Sequence, residues 1–161
     1  MHEQATIQMR PIGLVETDVM DGDIAKRRRE MLSEIVFFEE FAESLLGIRE
    51  YSHIFVLFWL DRVQPSTKAV IHPRGDSALP ATGILASRGR GHPNPIGLAV
   101  CELVEVKATR LLVRRLDAYN GTPVLDIKPY DHYDVFANIK VPQWLSDRSK
   151  NRIENATKSG S

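Results

Sequence analysis

The chain has 161 residues, 43% of them hydrophobic, and this length suits one compact domain that buries roughly two thirds of its unfolded surface, which excludes a second domain. Lys+Arg and Asp+Glu are equal at 21 each, so the formal net charge is zero. The chain as a whole therefore exerts no long-range attraction on phosphate, and any affinity for nucleic acid must come from local clusters of basic residues.

The cysteine count and the apolar runs indicate the compartment. Cys101 is the single cysteine and lies in an apolar run, where a reduced, buried thiol is typical and no internal disulfide can form. The longest apolar run, at 54–60, is far shorter than the ~20 residues that span a bilayer, and the N-terminus is polar. We therefore expect a cytoplasmic protein with no signal peptide and no membrane partner.

The N-terminal third is predicted to hold two strands and one helix. Residues 7–15 surround Pro11, which cannot donate to an interior ladder, so we expect an edge strand there. A turn at 21–23 leads into a basic run at 26–29, for which a solvated loop is the plainer interpretation. The remaining predictions in this third are a short strand at 34–38 and an amphipathic helix at 38–46.

The rest of the chain is predicted to form strands and loops. Residues 52–60 contain seven consecutive apolar side chains, which favours a central strand covered on both faces. Many strands, one helix and no βαβ alternation indicate a mainly β single domain, built as a barrel or a strongly curved sheet. Further strands are predicted at 83–86, 96–106, 110–116 and 124–127. We assign 1–6 to a flexible N-terminus, 7–145 to the domain and 146–161 to a polar, frayed tail.

A segment rich in glycine and proline, at 86–97, is the first candidate ligand site. Its glycines let a ligand approach the main chain, and its prolines stiffen the backbone beside Arg88 and Arg90. This arrangement suits an anionic or carboxylate-bearing ligand, although a solvent-exposed proline loop is an equal alternative. Because Pro93 and Pro95 prevent a following helix, the segment does not match a dinucleotide fingerprint, and a Rossmann fold is disfavoured.

A second candidate site lies at 119–130. Asn120 and Gly121 form a turn that can present main-chain donors. Asp126 stands between two apolar neighbours, so its carboxylate is either paired with a basic residue or poised as an acceptor for a ligand. His53, at the head of the central strand, is more typical of a structural residue than of a catalyst. No metal-spaced Cys/His cluster and no P-loop occurs in the sequence.

These segments resemble the hallmarks of the TsaA-like family, also called TrmO or YaeB-like. Pro-Asn-Pro-Ile-Gly at 93–97, preceded by Ala-Ser-Arg at 86–88, is similar to the first hallmark. Gly-Thr-Pro-Val-Leu-Asp-Ile-Lys-Pro-Tyr at 121–130 matches the second almost residue for residue, and Ser-His at 52–53 with its strand is similar to the third. The similarity runs in the same order from Arg10 to Tyr130.

The resemblance implies a barrel-like, non-Rossmann methyltransferase that works as a homodimer, with S-adenosylmethionine bound near the subunit interface. The best-described members methylate the threonylcarbamoyl-modified adenosine next to the anticodon, so the tRNA anticodon stem-loop is the implied partner. No metal is implied. Carried over by matching position, the cofactor contacts fall on Arg27, Arg28, Asp61, Arg62, Arg88, Leu98, Asn120, Gly121, Thr122 and Pro123.

The sequence departs from the family near the expected pocket. Gly91 and His92 stand where the family usually has an aromatic residue and an arginine, and Asn120 replaces a common aspartate. The basic run at 26–29 and the pair at 61–62 also differ from the usual residues. Three functions therefore stay open, namely a tRNA methyltransferase, a methyltransferase for a small-molecule acceptor, and a non-catalytic S-adenosylmethionine-binding module.

Catalytic residues are expected from the chemistry of methyl transfer. Displacement from a sulfonium is in line, so the protein must align the acceptor nitrogen and take up one proton. We expect Asp126 to accept that proton, with His92 as the second choice because an imidazole can serve at neutral pH. Tyr130 is expected to orient the acceptor through its hydroxyl group.

Overall fold

The computed structural model describes residues 6–147, so residues 1–5 of the predicted N-terminal segment and 148–161 of the predicted tail lie outside the described residues. The helix α1 (Asp21–Arg27) lies between the first two strands. The strands are β1 (Gly13–Glu16), β2 (Leu32–Phe37), β3 (His53–Trp59), β4 (Val70–Ile71), β5 (Thr82–Gly83), β6 (Ile96–Lys107), β7 (Arg110–Arg114) and β8 (Pro123–Pro129). Six of the described strands close an antiparallel barrel in the order β1, β2, β7, β6, β3, β8, and β4 pairs with β5 separately. The mainly β, barrel-like, non-Rossmann prediction is confirmed.

The core lies inside the barrel because the strand residues alternate. Every second residue of β3 is buried and the others are half-buried, so within the single chain only the inner face of this strand is fully covered, which differs from the predicted cover on both faces. A closed barrel buries only the inner face of each strand. Burial raises the pKa of the Cys101 thiol to about 12, in agreement with its apolar surroundings. The fully buried side chains include Val15, Ile35, Ile54, Val56, Cys101, Leu111, Val113, Leu116 and Val124.

Two predictions for the N-terminal third are wrong. β1 begins at Gly13, after Pro11, and pairs with both β2 and β8, so it is not an edge strand. The proline needs no ladder bond because it lies outside the strand. The predicted turn and basic loop instead form α1, which ends with Lys26 and Arg27. Two aspartates in its first turn and these bases in its last turn complement the helix dipole.

Two later predictions differ in the type of element. The helix predicted at 38–46 is a 3-10 helix, Glu39–Leu45. The strand predicted at 83–86 contributes only Gly83 to β5, and Ile84–Ala86 is a 3-10 turn. The reason is that β5 pairs with β4 over just two residues, so no partner extends the ladder. Within residues 6–147, no helix is long and apolar enough to cross a membrane.

Gly13 is required by the close pairing of β1 with β2. A Cβ at this position would overlap the main-chain oxygen of Val36 and lie 2.9 Å from the Cα of Phe37. The added methyl group must displace the backbone of the neighbouring strand, which strains the barrel. Gly13→Ala should therefore lower the free energy of unfolding, measured in urea, by about 1–3 kcal/mol. Gly22→Ala is the matched control, since no atom lies within 4 Å of its Cβ, and it should be neutral or stabilise by up to ~1 kcal/mol. Equal unfolding midpoints for the two variants would contradict this account.

Candidate functional site

One end of the barrel brings together several chain segments. β3 ends at Trp59, which pairs with Ile96 at the start of β6, so the long connection 60–95 leaves and returns at this end. β8 also starts there, because its Val124 pairs with Phe58. We term this the arginine-rich end and define it by Arg28, Arg62, Arg88, Arg90, Asp117 and Tyr119.

Arg62 connects three of these segments. Its Nη1 donates to Oδ2 of Asp21 in α1 at 2.7 Å, and its Nη2 donates to the main-chain oxygen of Asn120 at 2.8 Å. The guanidinium carbon lies 5.0 Å from the ring centroid of Tyr119, which is a cation–π contact. Arg62 and Asn120, both predicted as cofactor contacts, are therefore brought together. Asp61 is exposed, and in the part of the chain that the structure describes it forms no ion pair.

The loop 87–95 is held by contacts within the protein. His92 Nε2 donates to the main-chain oxygen of Ser87 at 3.1 Å, which closes the loop on itself. The main-chain nitrogen of Ser66 donates to the oxygen of Gly91 at 2.9 Å, and a Cβ on this glycine would lie 3.2 Å from the Ser66 side chain. The glycine at this position therefore lets the segment at Ser66 pack closely against the loop.

The arginines of this end differ in how they are engaged. Arg90 Nη1 donates to the hydroxyl oxygen of Tyr119 at 3.0 Å, which tethers the loop to the segment before β8. Arg27 Nε lies 3.6 Å from the carboxylate three residues later in the chain. Arg28 and Arg88 have no ion pair and no side-chain hydrogen bond among residues 6–147. These two guanidinium groups are available to an anionic ligand.

The turn before β8 is ordered by the barrel. Gly121 has a φ of 81°, the left-handed region that favours glycine. Asn120 Oδ1 accepts a hydrogen bond from the main-chain nitrogen of Thr17 at 3.1 Å. Thr122 is only 3% exposed and Pro123 opens β8. Of the four cofactor contacts predicted in this turn, Asn120 and Gly121 are exposed, Pro123 is half-buried and Thr122 is buried.

Asp117 and Tyr119 belong to this end; Tyr119 begins the candidate segment 119–130 without a predicted role of its own, and Asp117 lies outside that segment. Leu116 is 0% and Ala118 is 3% exposed, so the alternation turns Asp117 and Tyr119 to the opposite, outer side. Asp117 is exposed to solvent, yet partial burial of its carboxyl raises the pKa above the ordinary value, and a hydrogen bond from its own main chain and nearby positive charges oppose the rise. Those charges are on Arg28, Arg88 and Arg90. The apolar–polar alternation of 116–119 is the signal that could have identified the pair.

Asp126 and Leu98 lie elsewhere, on the outer face of the barrel. Both pair in register with Leu57 of β3, one from each side, so the three residues form a row across β6, β3 and β8. Asp126 Oδ2 lies 2.8 Å from Lys128 Nζ, so the carboxylate is paired with a basic residue, one of the two predicted alternatives. In residues 6–147 no group of three His, Cys, Asp or Glu side chains could hold a metal ion.

Tyr130 lies at the far end of β8. Its ring centroid is 5.2 Å from that of Phe55 and 6.3 Å from that of His53, whose Nδ1 lies 2.9 Å from Ser52 Oγ. The strand from Val124 to this residue covers roughly 20 Å at ~3.3 Å per residue. The fold therefore does not bring the three predicted catalytic residues, Asp126, His92 and Tyr130, together within one chain.

The chain matches the family model TrmO_N, described as the tRNA-methyltransferase O N-terminal domain, over residues 10–134. It is 39% identical over 125 residues to an S-adenosyl-L-methionine-binding protein of Archaeoglobus fulgidus, a match that covers 76% of this chain and 88% of that protein. It is 37% identical over 102 residues to a tRNA (adenine(37)-N6)-methyltransferase of Homo sapiens, with coverage of 62% and 23%.

Solved structures share the fold. A crystal structure of TrmO matches with a TM-score of 0.70 and 28% identity, covering 85% of this chain and 64% of that one. A second, of TrmO from Pseudomonas aeruginosa, matches with a TM-score of 0.67 and 29% identity, covering 84% and 62%. The chain thus spans less than two thirds of these solved proteins. Since the family model covers most of the chain and the barrel agrees with these structures, the chain belongs to the TrmO_N family, that of the N-terminal domain of tRNA-methyltransferase O.

Proposed function

We propose that this chain is an S-adenosylmethionine-dependent methyltransferase that N-methylates the threonylcarbamoyl-modified adenosine next to the tRNA anticodon in the cytoplasm. The observation that carries the proposal is the arginine-rich end, where guanidinium groups from several segments converge beside an exposed turn. The family supports it, as do the names of the two relatives, one that binds S-adenosylmethionine and one that methylates a tRNA adenine.

The arginine-rich end supplies the groups that hold the cofactor. Arg62 fixes both the Tyr119 ring and the turn at Asn120, so this part of the pocket is ordered before any ligand arrives. Arg88 offers a free guanidinium to the carboxylate of the cofactor. The other residues of the proposed cofactor site are Arg27, Arg28, Asp61, Leu98, Gly121, Thr122 and Pro123.

The same end also offers cations to the phosphates of an anticodon stem-loop. The chain has zero net charge, so this local cluster must provide the attraction, and the affinity should fall steeply with salt. The arginines that contact phosphate in this proposal are Arg27, Arg28, Arg29, Arg88 and Arg90. A small-molecule acceptor is the second candidate, favoured by the zero net charge and by His92, whose imidazole is engaged within the loop where the family has an arginine.

An exposed apolar surface supports the homodimer. On the outer face of β6, Leu98 is 52%, Ile96 41% and Val100 39% exposed. The neighbouring outer residues of β3 are half-buried and apolar. A contiguous apolar surface of this kind is typical of an interaction site, and we propose that a second copy covers it. We term it the outer apolar face, defined by Phe55, Leu57, Ile96, Leu98 and Val100.

The dimer also bears on catalysis. Asp126 lies beside Leu57 at the border of the outer apolar face, so a cofactor near the subunit interface would come within its reach. In the proposed reaction the methyl group leaves the sulfonium in line with the acceptor nitrogen, and Asp126 takes the proton. His92 is the alternative acceptor, and Tyr130 orients the acceptor through its hydroxyl group. The two chains share this work, since a single chain keeps these residues apart.

Two measurements test the proposal. The first is calorimetric titration of the protein with S-adenosylmethionine, and the second is an assay of methyl transfer to tRNA from a strain lacking the endogenous activity. Binding together with labelled tRNA, and a steep fall of tRNA affinity with salt, are expected. If the protein binds S-adenosylmethionine but does not label tRNA, the methyl acceptor is not tRNA. A turnover rate on another acceptor that does not change with salt would identify that acceptor as a small molecule. Binding without any product would leave a cofactor-binding module.

Arg62 provides a prediction for cofactor affinity. Arg62→Ala removes the contacts to Asp21, Asn120 and Tyr119, and should weaken S-adenosylmethionine binding about 10-fold, because hydrogen bonds to charged groups contribute ~1.5–3 kcal/mol. Arg62→Lys keeps the charge but loses the planar fork, so its affinity should fall between those of the wild type and the alanine variant. Calorimetry at fixed salt measures both. If Arg62→Ala binds S-adenosylmethionine with unchanged affinity, the contacts of Arg62 are not part of the cofactor site.

A further inference from the structure

The segment that follows β8 presents large apolar side chains to solvent. Tyr133 is 91%, Phe136 74%, Ile139 72% and Val135 63% exposed. Apolar side chains are normally scattered singly over a soluble surface, and a group of this size marks a site of interaction. We term residues 133–141 the apolar loop. Because its side chains stay exposed, the loop does not pack on its own barrel.

The main chain of the apolar loop is also unpaired. A capped turn fixes its start, since the Asp131 carboxylate accepts a hydrogen bond from the main-chain nitrogen of Tyr133 at 2.7 Å, and Oδ2 of Asp134 accepts one from that of Asp131 at 3.0 Å. Beyond this turn, the main-chain groups of 136–141 form no hydrogen bond to another residue in the described part of the chain. The loop can therefore settle against a partner without breaking a ladder or a helix.

The area that a dimer needs connects this loop with the outer apolar face. At about 200 Å² for a fully exposed large side chain, the five residues of that face offer roughly 350 Å² per copy. A stable interface buries ~800 Å² per partner, so the face alone is too small. The apolar loop offers roughly 600 Å² more, and the two surfaces together reach the required area.

The charges at the two ends of the barrel set the orientation of a second copy. The connection 60–95, at the arginine-rich end, contains five Lys or Arg residues and two Asp residues. The connection 38–51 joins β2 to β3 at the opposite end and contains four Glu residues and one Arg. The apolar loop begins at that opposite end, after β8. Since unlike charges attract, two copies with antiparallel barrels place the loop of each beside the arginine-rich end of the other.

We propose that the apolar loop of one copy packs on the outer apolar face of a second copy, and that a two-fold axis perpendicular to the strands makes the contact reciprocal. Ile96 opens β6 at the arginine-rich end, so it is the residue of that face nearest to the partner's loop. A loop of nine residues can extend up to ~15 Å from its base, which is enough to reach Ile96 and Leu98. The inference rests on the second copy in the proposed function and does not depend on the methyl acceptor.

Cross-linking between two differently tagged copies tests the contact. Cys101 is buried, so the added cysteines are the reactive ones. Full-length Phe136→Cys and Ile96→Cys chains, mixed and allowed to exchange subunits, should form a covalent pair with a short bismaleimide. The matched control replaces Ile96→Cys with Leu14→Cys. Leu14 is on the opposite side of the barrel, so this mixture should form no pair.

Loss of a loop side chain should weaken the dimer. Phe136→Ser should raise the dimer dissociation constant more than ~100-fold, because each dimer loses two buried aromatic rings. Leu14→Ser removes an exposed apolar side chain from β1 and should leave the constant unchanged. Sedimentation velocity over a range of concentrations measures both variants.

The outcomes separate this inference from the proposed function. If the wild type is a dimer but the mixed copies do not cross-link, or Phe136→Cys cross-links with itself, the inference is overturned while the dimer stands. If a chain with both substitutions cross-links only internally, the loop closes on its own barrel, which also overturns the inference. If the wild type is a monomer, the proposed homodimer fails together with the inference, and calorimetry with S-adenosylmethionine decides the cofactor separately.

Discussion

Asp126→Asn is expected to lower the rate of methyl transfer by roughly 100-fold or more while the affinity for S-adenosylmethionine stays unchanged. The carboxylate is on the outer face of β8, beside Leu57 and 2.8 Å from Lys128 Nζ. A carboxylate oxygen at this position can accept the proton that the acceptor nitrogen loses. An amide of nearly the same shape cannot do so. Single-turnover rates with labelled cofactor on undermodified tRNA, together with calorimetric affinities, measure the two quantities.

Lys128→Met is the control for this prediction, because it removes the ion pair and keeps the carboxylate. An exposed ion pair contributes less than ~1 kcal/mol to the free energy of unfolding, so the stability of this variant should change by no more than that. Its methyl-transfer rate should stay within about 10-fold of the wild-type rate. If Asp126→Asn retains both its rate and its cofactor affinity, the ion pair with Lys128 is structural only. His92 would then be the proton acceptor to test next.

The fold could be predicted where a pattern is local. Seven consecutive apolar residues were enough to identify β3, and a similar run identified β6. The pattern left a barrel and a strongly curved sheet open, because the pairing that closes the barrel joins Gly13 of β1 to Val124 of β8, two segments far apart in the sequence. α1 was missed because Asp-Gly-Asp is typical of turns. This short helix is stabilised by packing, with Ile24 4% exposed, more than by its own propensity.

The site residues that belong to a sequence motif could be predicted. Those that the fold brings together from distant parts of the chain could not. Arg62 and Asn120 were both identified, and the fold joins them by a hydrogen bond. Asp117 was missed because the alternation of 116–119 indicates only that its side chain faces outward, whereas the nearby positive charges come from other segments of the chain. Tyr130 shares a motif with the turn before β8, but an extended strand separates neighbours in a motif by ~3.3 Å per residue. Membership of one motif therefore does not place residues in one pocket.

Leu98→Glu is expected to convert the proposed homodimer into a monomer. Leu98 is 52% exposed and lies on the outer apolar face between Ile96 and Val100 of the same strand. If a second copy covers this face, the new carboxylate is buried without a partner, which costs about 3–5 kcal/mol and raises the dimer dissociation constant by more than ~100-fold. Sedimentation velocity over a range of concentrations measures the change. Because the cofactor is placed near the interface, its affinity and the methyl-transfer rate should fall as the dimer dissociates.

Leu14→Glu distinguishes loss of an interface from a general effect of added charge. Leu14 is 38% exposed on β1, and the strand order puts β1 three positions from β6 in either direction around the barrel, on its opposite side. Charge repulsion between copies would act on both variants, whereas burial of the carboxylate acts only at Leu98. The Leu14 variant should therefore remain a dimer. If both variants stay dimeric, the copies meet on another surface, and if the wild type is a monomer, Asp126 and the arginine-rich end must act within a single chain.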